Sequence, residues 1–79
     1  MEKPNPTAVL DLRGTPCPLN FIRSKLALEK LDLGAWLQVD LDAGEPEQMV
    51  ASGLREAGQH VQLESLEPGA VRLLIQRFG

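Results

Sequence analysis

The chain holds one cysteine, Cys17, set between two prolines in the run Arg13-Gly14-Thr15-Pro16-Cys17-Pro18-Leu19-Asn20. An amphipathic stretch follows, Phe21-Ile22-Arg23-Ser24-Lys25-Leu26. Proline is favoured at the first helical position, where its missing N–H is not needed and its φ already suits the helix. With Pro18 in that place, Cys17 is the expected N-cap, and Pro18 biases it away from helical dihedrals as a cap requires. The sulfur is then expected near the free N–H groups of Leu19 and Asn20, at the positive end of the helix dipole. That setting favours a thiolate, the form of cysteine that attacks and carries.

The charges around this thiol are uneven. Residues 1–31 hold five Lys/Arg against three Asp/Glu, whereas residues 32–79 hold three against eight, within a net charge of −3. The basic excess, Arg13, Arg23, Lys25 and Lys30, lies around the cysteine and the helix after it. Lys30 reads as part of a solvated helix face. For Arg13, Arg23 and Lys25 two readings stand side by side: a solvated face, or cations that favour the thiolate and guide an acidic partner.

Several chemistries are excluded by what the chain lacks. Without a second cysteine there is no internal disulfide and no C-x-x-C dithiol couple. One Cys and one His cannot close a zinc site. A Cys–His hydrolase would have to recruit His60, which falls at the start of a strand with no evident orienting carboxylate. No phosphate-cradling glycine loop is present, so neither a metal nor a cofactor is expected. The acidic balance argues against direct nucleic-acid binding, which needs a basic surface. No apolar run reaches membrane-spanning length, and Met1–Pro6 lacks the apolar stretch of a signal peptide, so a cytoplasmic protein is expected. What survives is a nucleophilic thiol without a local catalytic partner, suited to accept a group from one protein and present it to another.

The elements that must position this thiol follow from the hydrophobic pattern. Residues 1–7 read as a Pro-rich flexible lead and residues 8–79 as a single domain. A strand is expected over Ala8–Leu12, then a helix from Pro18 to about Leu31 with a core arc of Phe21, Ala27, Leu28 and Leu31. A second arc, Leu19, Ile22 and Leu26, is expected against a neighbouring helix or sheet edge. The alternative leaves Leu19 and Ile22 exposed beside Cys17 as a docking surface. Trp36–Leu41 alternates as a strand whose Leu37, Val39 and Leu41 face the helices, with Trp36, Gln38 and Asp40 facing away. Pro46 opens a second helix ending near Ala57, its apolar face formed by Met49, Val50, Leu54 and Ala57; Gly53 within that face points to close packing. Two strands, about His60–Leu66 and Ala70–Phe78, form a hairpin through Glu67-Pro68-Gly69. The order βαβαββ predicts an α+β fold, a two-layer α/β sandwich with a four-stranded mixed sheet and two helices on one face. The turn after the first strand then puts Cys17 at one exposed end of the sheet.

The run L-D-L-R-G-T-P-C-P-L-N, Leu10 to Asn20, resembles the TusA/SirA-like sulfur-carrier family. So do the spacing to Gly34, the acidic turn Asp42-Ala43-Gly44-Glu45-Pro46 and the terminal strand pair, and together the resemblance covers residues 8–78. It implies a fold like the C-terminal domain of translation initiation factor 3. It also implies a cysteine that carries sulfane sulfur as a persulfide, taken from a cysteine desulfurase or rhodanese-like donor. The sulfur passes to a downstream acceptor, in the tRNA 2-thiouridine relay or another sulfur pathway. On this reading Cys17 is the carrier, supported by Arg13, Asn20 and Lys25, and the chain is a sulfurtransferase-like carrier rather than a self-contained catalyst. Two positions depart from the family pattern. The motif is usually C-P-x-P, whereas this chain has Asn20 in the last place, where its amide can reach back and donate to sulfur or serve as an ordinary first-turn residue. Paired aspartates before a proline, typical of the tRNA-thiolation branch, are replaced by Gly44-Glu45-Pro46, which looks like a distinct branch. A competing reading on the same fold is a regulatory or protein-interaction module in which Cys17 is structural.

Overall fold

The computed structural model describes residues 5–78. Its elements run β1 (Ala8–Asp11), α1 (Leu19–Glu29), β2 (Trp36–Asp42), α2 (Glu45–Glu56), β3 (His60–Glu67) and β4 (Ala70–Gln76). The expected βαβαββ order is therefore present. The four strands form one mixed sheet in the order β1-β2-β4-β3, with β1 parallel to β2 and β4 antiparallel to both of its neighbours. α1 links two adjacent parallel strands. α2 carries the chain out to the edge strand β3, and the hairpin returns β4 to the gap beside β2. Of the expected lead, residues 1–4 lie outside the described residues, and the N–H of Thr7 already donates to the carbonyl of Trp36 at 2.8 Å.

Register explains where the core sits. Leu37, Val39 and Leu41 of β2 stand opposite Ile75, Leu73 and Val71 of β4. Side chains alternate faces along a strand, so all six point to the same side of the sheet. There they meet Leu28 of α1 and Val50, Ala51 and Leu54 of α2, and all are buried. The smallest principal extent, 18 Å, fits one sheet plus one layer of helices, which pack about 10 Å apart. On the other face the buried Asp40 stands opposite Arg72 and takes its guanidinium at 2.9 Å, so this acid is paired.

Three expectations are corrected at the helices. α1 begins at Leu19 rather than Pro18, and its N-cap is Pro18 rather than Cys17. The cause is a turn that starts earlier: the N–H of Asn20 donates to the carbonyl of Pro16 at 3.2 Å, so Cys17 sits inside that turn, one residue outside the cap. The second arc of α1 is not packed. Leu19, Ile22 and Leu26 are 43%, 46% and 53% exposed, because Asn20, Ser24 and Leu28, spaced four apart, occupy the buried stripe instead. In α2 the buried face is Val50, Ala51 and Leu54, with Met49 and Ala57 exposed.

Gly53 bears out its reading as a close contact. A Cβ built there would lie 2.6 Å from Cε2 of Phe21 and 3.1 Å from two further ring carbons. The glycine lets the Phe21 ring of α1 lie directly on the backbone of α2.

Candidate functional site

The C-terminal ends of β1 and β2 and the tip of the β3–β4 hairpin share one end of the sheet, and the turn carrying Cys17 springs from it. That turn is fastened at several points. The N–H of Leu12 donates to the carbonyl of Asp40 at 2.9 Å, and that of Thr15 to the carbonyl of Leu12 at 3.0 Å. Gly14, with φ near +78°, makes the bend, and its N–H donates to Oδ2 of Asp42 at 2.8 Å. Asp42 is part of the acidic turn singled out in the sequence, and this bond is its connection to the site.

Arg13 acts within this framework rather than at the thiol. Its Nε and Nη2 hold both carboxylate oxygens of Asp11, at 2.9 and 3.0 Å, and its Nη1 reaches Glu67 at 2.6 Å. Such a forked guanidinium–carboxylate contact fixes geometry as well as charge. The guanidinium of Arg13 donating to its carboxylate holds Asp11 down at about 2, and Arg13 itself is held further toward its charged form by the same bond. Arg13 is thus the clasp between β1 and the hairpin.

Cys17 is exposed, and its peptide bond to Pro18 is cis. Its sulfur accepts a hydrogen bond from Nδ2 of Asn20 at 3.3 Å. Asn20 is fully buried, so this donor comes from the protein side of the sulfur, leaving the outer side open. Two further bonds fix it: Oδ1 of Asn20 accepts the N–H of Phe21 at 2.7 Å, and its carbonyl accepts Oγ of the buried Ser24 at 2.9 Å. Oδ1 thereby satisfies one of the helix's free first-turn donors, and the side chain's other end is aimed at the thiol. The expected contact from the backbone N–H groups of Leu19 and Asn20 is replaced by this side-chain amide.

Of the four residues singled out in the sequence, the structure brings Asn20 to Cys17. Lys25 lies farther along α1, lining a separate recess with Leu28, Leu54 and Ala57. His60 begins β3 at the opposite end of the sheet, where its ring meets Trp36 edge-on at 5.8 Å and Phe78 at 6.1 Å. Residues that sequence reasoning placed in the core, or left without a role, complete the site. Phe21, Met49 and Gly53, with Pro18 and Asn20, line an apolar recess that opens beside Cys17. The signal for it was present in Gly53, whose contact with Phe21 forms the floor.

No helix among the described residues is long and apolar enough to cross a membrane. Comparison with known proteins bears on the whole of this arrangement. A protein of Archaeoglobus fulgidus named "Putative sulfur carrier protein" is 38% identical over 53 residues, 67% of this chain and 60% of that protein. The chain thus matches about three-fifths of the length of that curated relative. The crystal structure of a SirA-like protein from Desulfitobacterium hafniense superposes with a TM-score of 0.81 at 23% identity, covering 92% of this chain and all of the other, and shows the same fold. The family model described as sulfurtransferase TusA matches residues 8–77, from the first residue of β1 to just past the last of β4, and the chain belongs to that family.

Proposed function

We propose that the protein is a sulfur carrier in which Cys17 holds sulfane sulfur as a persulfide and passes it on in a sulfur relay. The observation that carries this reading is the pairing of an exposed thiol with a buried amide donor, Nδ2 of Asn20, on its inner side. An exposed sulfur can meet the sulfur of another protein, and a fixed donor behind it holds it in one orientation. Hydrogen bonds to ionised acceptors are roughly twice as strong as neutral ones, so the same amide is suited to hold a carried persulfide anion.

In the loading step the Cys17 thiolate attacks the outer sulfur of the donor's persulfide. The new S–S bond forms as the old one breaks, and the donor's cysteine leaves with the electron pair as a thiolate. Unloading is the same exchange with the acceptor's thiolate as attacker. Neither step needs a redox partner, since one S–S bond is traded for another. A cysteine desulfurase or a rhodanese-like protein has the chemistry of the donor. Arg13 holds the turn in place through Asp11 and Glu67. Lys25, with Arg23, gives α1 a basic surface that steers an acidic partner. The competing role, a structural cysteine in an interaction module, is disfavoured by the exposure of Cys17.

The test follows labelled sulfur. With a cysteine desulfurase and radiolabelled cysteine, label is expected on the wild-type protein, recoverable as thiocyanate on treatment with cyanide. Cys17→Ser is expected to stay folded and unlabelled. Equal labelling of Cys17→Ser would overturn the proposal.

A further inference from the structure

The recess beside Cys17 encloses about 190 Å³ and is lined by Pro18, Phe21, Met49 and Gly53, with the thiol and the amide of Asn20 at one wall. Binding sites for drug-sized molecules run about 300–1,000 Å³, so this one is too small for a metabolite of that size. An apolar cavity of about 150 Å³ takes a benzene-sized guest, which sets the scale of what fits. Among the described residues no charged side chain lines it, and its polar groups, thiol and amide, are already bonded to each other. The occupant these walls match is therefore a single uncharged apolar group of about the size of a Leu or Phe side chain.

The charges around the mouth narrow its source. Lys25 lines a separate recess farther along α1, whereas Glu45 and Glu56 line a groove along α2 that shares Met49 and Gly53 with this one. An apolar recess that runs on into an acidic groove suits a polypeptide segment with an apolar residue beside a basic side chain. A group seated there is also held against the sulfur of Cys17.

We infer that this recess is the receptor for an apolar side chain that neighbours the reactive cysteine of the protein exchanging sulfur with Cys17. The inference rests on the carrier reading and adds to it the basis of partner choice. Seating the side chain brings the partner's cysteine to the exposed side of Cys17, while small polar thiols gain nothing from the recess. Met49, half-exposed and unbranched, adapts the wall to the guest.

Short peptides bearing one cysteine as its 2-pyridyl disulfide test this directly. In the exchange, the Cys17 thiolate attacks the peptide's sulfur, a Cys17–peptide disulfide forms, and pyridine-2-thione leaves with the electron pair. Peptides with Leu or Phe beside the cysteine are expected to react about ten-fold or more faster than those with Ser or Asp, the scale on which apolar pockets discriminate. In Met49→Glu, which places a charge at the mouth from an exposed position, that advantage is expected to shrink to about two-fold or less. Each exchange rate is read relative to alkylation of Cys17 by iodoacetamide in the same variant, so that a general change in thiol reactivity cancels and only the selectivity among peptides is compared. Equal rates for all four peptides, or an advantage that survives Met49→Glu, would overturn the inference. A dimer of the free protein that Met49→Glu dissolves would assign the recess to a second copy and overturn it as well. Unselective but rapid exchange would leave the carrier reading standing, whereas a Cys17 inert to every disulfide would remove both.

Discussion

Replacing Asn20 with Asp separates the donor at Cys17 from everything else Asn20 does. The two side chains have nearly the same shape. The carboxylate can still accept the N–H of Phe21, now held at 2.7 Å, and a negative charge in the first turn of a helix is favourable. What is lost is the N–H aimed at the sulfur 3.3 Å away, with a carboxylate oxygen put in its place. A hydrogen bond to a charged group contributes about 1.5–3 kcal/mol, and the open outer side of Cys17 favours the lower end. Since about 1.4 kcal/mol is ten-fold, persulfide loading is expected to slow about ten-fold or more. Stopped loading assays with a fixed concentration of desulfurase give the rate, and circular dichroism verifies the fold. The pH profile supplies the readout that a purely structural role would not move. Burial and the neighbouring sulfur push the new carboxyl above the ordinary carboxylate range, and its protonation restores an O–H donor, so the deficit should narrow as pH falls through the range in which it protonates. A folded Asn20→Asp variant that loads at the wild-type rate at neutral pH would refute the role given to this amide.

Other positions give further checks. Gly53→Ala gains about 1 kcal/mol of helix propensity but drives a methyl into the Phe21 ring, and overpacking of this kind costs about 1–3 kcal/mol; net destabilisation is expected in urea unfolding, and a stabilised variant would contradict the packing account. Leu73→Ala, fully buried between β2 and β3, should lose about 2–5 kcal/mol, whereas Leu26→Ala, half-exposed on α1, should change stability by no more than about 0.5 kcal/mol. Asp11 titrates near 2 in the folded protein against an ordinary 3.8, so its bond to Arg13 stabilises fully above about pH 4 and is lost as pH falls through 2. Unfolding midpoints measured down that range should fall less steeply in Asp11→Asn than in the wild type; identical acid profiles would remove Asp11 as a contributor.

The fold was largely legible because its signals are strong and local. Leu37, Val39 and Leu41 alternate as a half-buried strand must, Gly44 and Pro46 mark the start of α2, and Glu67-Pro68-Gly69 marks the hairpin. α1 was harder. Its apolar residues are spread around the helix, while the fully buried positions belong to Asn20 and Ser24, two polar residues that hydrophobic periodicity passes over. The sequence suggested that Asn20 reaches back to sulfur but not that burial would fix it there. The cap was placed one residue early, since nothing local reveals that the Asn20 N–H bonds to Pro16 instead of remaining free. Arg13 read as a cation for the thiol because Glu67, its second partner, lies more than fifty residues away in sequence. The recess was equally hidden, since its walls come from two helices and a turn that only tertiary packing brings together.

The measurement that tests the central claim most directly is the intact mass of the protein after incubation with cysteine and a cysteine desulfurase, before and after reduction. The account predicts a gain of one sulfur atom that maps to Cys17, disappears on reduction and is absent from Cys17→Ser. A folded wild-type protein that gains no sulfur from either desulfurase or rhodanese-type donors would contradict it.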